Sequence, residues 1–118
     1  MDYKKGDICK CIIDYEYGIG SKPRPVVFWD DWKLSLERPT VLVIPFTKIT
    51  SKQRYQPTFY IKKTSLNNLE EDSILKLYQF ACVSKNNLGK VIGRLNEDEI
   101  VKVEKLLQKS FPSLWQTK

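Results

Sequence analysis

Two stretches decide how this chain reads: Lys22-Pro23-Arg24-Pro25-Val26-Val27 and Val41-Leu42-Val43-Ile44-Pro45-Phe46-Thr47. Both are apolar, β-branched runs of strand length with a polar side chain at one end. Arg24 enters the first and Thr47 leaves the second. If the two strands lie side by side, a guanidinium and a hydroxyl meet at adjacent strand ends. An arginine fork matches the geometry of a phosphate, so a phosphodiester is the first substrate class the pair suggests. Pro45 has no N–H to give to a ladder, which assigns it to a strand end, a bulge or an edge.

The rest of the pattern is built around these runs. Ile8 to Ile13 reads as a first strand, followed by a loop from Asp14 to Pro23 that carries Gly18 and Gly20. Pro25 to Trp29 and Thr40 to Phe46 read as buried strands, and Thr58 to Lys62 alternates as a fourth. Ser73 to Tyr78 and Phe80 to Val83 are two more strand-like pieces, or one bent strand. The end changes character. Asn96 is placed as an N-cap with Glu99 for the reciprocal bond, and Ile100, Val103, Leu106, Leu107 and Phe111 recur at helical spacing until Pro112. The expected architecture is mainly β: five or six short strands in a small twisted sheet or partial barrel, then one amphipathic helix. All 118 residues form one domain.

Charge is unevenly placed. No Asp or Glu falls between Arg38 and Leu69, while Arg38, Lys48, Lys52, Arg54, Lys62 and Lys63 do. Those six residues equal the whole net charge of +6. Tyr55, Phe59 and Tyr60 stand among them, and cations with flat aromatic faces are what single-stranded nucleic acid requires. A solvated basic loop whose aromatics point into the core would give the same composition. The start, Met1 to Asp7, has no apolar stretch of the signal-peptide kind, and no run approaches the roughly 20 apolar residues of a membrane helix. Cys9 and Cys11 would share one strand face as buried thiols. With three cysteines, no histidine and no Cys-x-x-Cys, neither a disulfide framework nor a structural zinc site is expected. The expectation is a cytoplasmic protein that needs no metal or other cofactor.

Several motifs in order resemble the MazF/PemK family: Gly6-Asp7-Ile8, Gly20-Ser21-Lys22-x-Arg24-Pro25-Val26-Val27 and Val43-Ile44-Pro45-Phe46-Thr47. The series continues through Glu71-Asp72-Ser73-Ile74-Leu75, Gln79, Val83-Ser84-Lys85-x-x-Leu88, Ile92-Gly93-Arg94-Leu95 and Asp98-Glu99. The resemblance implies an SH3-like small β-barrel of five to seven strands, related to that of CcdB, with a C-terminal helix. It also implies a homodimeric toxin of a type II toxin–antitoxin system that cleaves single-stranded RNA without a metal, and an acidic, partly disordered antitoxin as its partner.

In the family's terms Arg24 and Thr47 match the catalytic arginine and threonine. Members commonly carry an acid just before the glutamine and an arginine two residues after it; here these positions hold Tyr78 and Ala81 around Gln79. Ile19-Gly20 stand where many members have Glu-Gln, and Lys48 where many have serine. Tyr78 and Asp14 are therefore the candidates for general base or substrate contact. Lys22, Lys48, Lys52, Arg54, Tyr55 and Gln79 are candidate RNA contacts. Two other readings stay open: a toxin of the same fold that acts by binding a protein, as gyrase poisons do, and a degenerate RNA-binding protein.

Overall fold

The computed structural model describes residues 2–12, 23–49 and 56–114. Seven strands come first: β1 (Asp7–Cys11), β2 (Arg24–Phe28), β3 (Thr40–Lys48), β4 (Thr58–Ile61), β5 (Ser73–Lys76), β6 (Ala81–Ser84) and β7 (Leu88–Arg94). The helix α1 (Glu97–Ser110) follows, with the expected capping box in place: Asn96 accepts from the Glu99 N–H at 2.8 Å, and Glu99 accepts from the Asn96 N–H at 3.0 Å. The mainly β class with a C-terminal helix is as expected. β7 was not read as a strand, because Gly89, Lys90, Gly93 and Arg94 break up its apolar positions.

All pairings are antiparallel, in the order β4-β5-β3-β2-β1-β7, with β6 also on β3. β3 is the shared strand. On one side it pairs with β2 as far as Val26 opposite Pro45. On the other side its residues Thr40 to Val43 pair with β6 and Phe46 to Lys48 with β5. The two partners therefore follow each other along one edge, separated by a 3-10 turn at Leu77–Gln79. The alternative of one bent strand came close, but the turn interrupts it.

Alternation then sorts the side chains. Ile8, Val27, Ile44, Phe46, Leu75 and Ile61 face one way and join Ile100, Val103 and Leu107 of α1 in the main core. Cys9, Cys11, Val26, Phe28, Val41 and Val43 face the other way, into a second cluster with Tyr3 and Val83. Burial pushes the Cys9 thiol up to about 12 and the Cys11 thiol up to about 11, so both remain protonated at neutral pH.

The sheet is not closed into a full barrel: among the described residues no ladder joins β4 to β7. A turn spans the gap. The Arg94 N–H donates to Leu66 O at 3.1 Å and the Asn68 side chain to Ile92 O at 3.1 Å. Buried Asn67 holds that turn in shape, accepting from the N–H groups of Thr64 and Leu69 and donating to Lys62 O at 2.8 Å. Gly93 lets the turn approach, since a Cβ there would overlap the Asn67 carbonyl. Gly93→Ala should therefore lower stability by about 1–3 kcal/mol, read as a drop in thermal midpoint. An unchanged midpoint would mean that the approach is not needed.

Between β2 and β3 the chain is anchored by Asp30, which accepts from the Leu42 N–H at 2.9 Å, the Asp31 N–H at 2.8 Å and the Arg38 guanidinium at 2.8 Å. Burial acts to raise its pKa, but these bonds and the arginine charge hold the carboxyl below the usual range. A depressed folded pKa stabilises fully above the unfolded value and loses that contribution as pH falls through the folded one. Asp30→Asn should cost about 1–2 kcal/mol at pH 7 and flatten the acid limb of stability against pH; an equally steep limb would assign it to other carboxylates.

Candidate functional site

Register builds the site. Continuing the β2–β3 pairing two residues beyond Val26 and Pro45 brings Arg24 level with Thr47. Alternation puts both on the face of the second cluster, beyond its rim at Val26 and Val43. β5 extends the same row: Ile74 lies opposite Thr47, and Tyr60 of β4 lies opposite Ile74. On the other flank, Cys11 of β1 lies opposite Arg24. Tyr60, Ile74, Thr47, Arg24 and Cys11 thus form one line across five strands. Arg24 is exposed, Thr47 half-buried and Ile74 buried. The missing N–H of Pro45 faces the other edge of β3, between the β6 and β5 pairings, so it costs no ladder bond where that edge changes partner.

One strand repeat away is Lys76, a residue that sequence reasoning did not select. It lies opposite Thr58 on β4 and on the Ile74 face of β5. Burial first, and then the positive charge of Arg24, lower its pKa from the ordinary lysine value. Arg24 is thus near enough for its charge to be felt at Lys76 across β3. The signal available in the sequence was a lone lysine inside Ser73-Ile74-Leu75-Lys76-Leu77, an otherwise apolar run. That also describes an ordinary edge strand. Two cations and a hydroxyl on one face can hold a phosphate and offset extra negative charge on it.

The other expected residues are only partly gathered here. Tyr78 and Gln79 sit in the 3-10 turn after β5, Tyr78 half-buried with its N–H donating to Pro57 O at 3.3 Å, Gln79 exposed. Lys48 pairs through its backbone with Ser73, and its side chain lies outside the described residues. Asp14, Lys22, Lys52, Arg54 and Tyr55 also lie outside them. The basic stretch is less uniform than its composition suggested. Arg38 is paired with Asp30, and Lys62 and Lys63 lie close enough to Asp72 to lower its carboxyl pKa, after the larger effects of hydrogen bonds from the Lys63 N–H and Tyr60. Phe59 packs against the main core, whereas Tyr60 points outward. Among the described residues no His, Cys, Asp and Glu grouping could hold a metal ion, and no helix is long and apolar enough to cross a membrane.

Residues 4–111 match the model of the PemK-like, MazF-like toxin family of type II toxin–antitoxin systems. No curated protein is similar enough in sequence to count as a match. Among solved structures, the Mycobacterium tuberculosis toxin MazF-mt6 superposes with a TM-score of 0.70 at 18% identity, over 90% of this chain and 96% of that one. MazF from Deinococcus radiodurans gives 0.71 at 10% identity, over 95% and 98%. An endoribonuclease from a mycobacterial species, solved with its cognate antitoxin, gives 0.68 at 12% identity, over 95% and 97%. At these identities the structures establish a shared fold, and the family match extends over nearly the whole chain. This protein belongs to the PemK-like, MazF-like toxin family of type II toxin–antitoxin systems.

Proposed function

We propose that this toxin is an endoribonuclease that cleaves single-stranded RNA at selected sequences, without a metal, by attack of a 2′-hydroxyl on the adjacent phosphate. The observation that carries the reading is the shared face of Arg24 and Thr47 at the division of the sheet. The fold shared with proteins named as endoribonucleases supports it.

The reaction has three requirements. A proton must leave the 2′-hydroxyl, the phosphorane must be stabilised, and the departing 5′-oxygen must gain a proton. The O2′–P bond forms as the P–O5′ bond breaks, giving a 2′,3′-cyclic phosphate and a 5′-hydroxyl. With no histidine in the chain, paired imidazoles are not the means. Arg24 binds the phosphate and offsets the second negative charge of the phosphorane, while Thr47 donates a hydrogen bond to a non-bridging oxygen. Lys76 adds a second positive charge beside them. Tyr78 and Asp14 are the candidates for the base or for contacts that orient the sugar. Lys22, Lys48, Lys52, Arg54, Tyr55 and Gln79 bind the flanking strand. The partner that silences such a site is an acidic antitoxin segment that competes for its cations. The working form is a cytoplasmic homodimer.

Long single-stranded RNA incubated with the protein in chelator should yield fragments with 5′-hydroxyl and cyclic phosphate ends. Arg24→Ala should slow cleavage about a hundredfold or more, and Thr47→Ala about tenfold. RNA left intact by the unmodified protein would overturn the nuclease reading and favour a toxin that acts by binding.

Lys76 offers a test of the site's geometry. Its 13Cε resonance should titrate below the ordinary lysine value of 10.5. Arg24→Met should raise the midpoint, because a repelling charge has gone. A midpoint that stays put would separate the two cations.

A further inference from the structure

Tyr60 takes no part in the chemistry above, yet it stands at the end of the row that carries it. The residue is 55% exposed, on the face shared by Thr47, Ile74 and Lys76. It is also held in place. The phenol donates to Asp72 at 3.0 Å, and Asp72 in turn accepts from the Lys63 N–H at 2.8 Å. The bond to Asp72 pushes the phenol's pKa up, so the ring stays neutral and keeps donating. Two strand spacings separate Tyr60 from Thr47, about 10 Å between backbones. That is the scale on which the base of a nucleotide stands away from a neighbouring phosphate.

We propose that Tyr60 is the stacking platform for an unpaired RNA base next to the phosphate held by Arg24 and Thr47. The position of that phosphate rests on the nuclease reading above. The contact is with a π-face, so it binds any base and fixes where the strand lies at β4. An exposed aromatic held by its own hydroxyl loses little freedom when a base settles on it, which favours binding.

The test uses a short single-stranded RNA of mixed sequence, 2′-O-methylated at every position so that it binds without being cut, and the same backbone lacking its bases. Tyr60→Leu should weaken binding of the first probe roughly tenfold and leave binding of the second unchanged. Tyr60→Phe, which keeps the ring, should remain within about threefold of the unmodified protein. The salt dependence should keep its slope in Tyr60→Leu, whereas Arg24→Ala should reduce it by about 0.7, the share of one phosphate on a single strand. The platform is overturned if the unmodified protein does not bind the probe, if Tyr60→Leu binds it equally well, if the loss is the same on the backbone without bases, or if Phe fares as badly as Leu. Because the probe cannot be cut, failure of the nuclease reading would appear separately, as intact all-ribose RNA beside unaltered binding differences.

Discussion

The longest strand shares its two edges among three partners, and its one proline sits where one of those edges changes partner. β3 runs from Thr40 to Lys48, and Pro45 is where its pairing with β2 ends and its second edge passes from β6 to β5. The two parts of the sheet can then turn relative to one another, with the main core and α1 on one side. On the opposite side, the start of β2 and the end of β3 stand beside the first residues of β5. Register and alternation put Arg24, Thr47 and Lys76 on that face.

The same arrangement has a cost to folding. A half-buried lysine beside an arginine is disfavoured in its charged form by desolvation and by repulsion. Perturbed titratable groups cluster at functional sites, which is why the shifted lysine is informative. The thiols of Cys9 and Cys11, pushed up by burial, are perturbed in the opposite sense: they are protonated and packed in the second cluster.

The acid-free stretch from Arg38 to Leu69 separates what composition conveys from what it hides. Counting gave a single basic segment with aromatics. In the fold Arg38 belongs to the Asp30 anchor, while Lys62 and Lys63 stand near Asp72, an acid from outside the stretch. Phe59 and Tyr60 are neighbours in sequence but point to opposite faces, one into the core and one outward. Strand alternation predicts that opposition, but which of the two faces outward depends on register with β5.

Local sequence determined the elements whose causes are local. The capping box at Asn96 and Glu99, the helical spacing after it, and the apolar runs of β2 and β3 were legible because propensity and periodicity act over a few residues. So was the pairing in kind of Arg24 with Thr47, whose chemistry is written in the residue types. β7 was not legible, since its two glycines serve close approaches, one of them to the Asn67 turn, that no local pattern encodes. Nor was the place of Lys76, whose meaning comes from Arg24 two strands away. Long-range register decided which side chains share a face, and it put a guanidinium, a hydroxyl, an ammonium and a phenol on the same one.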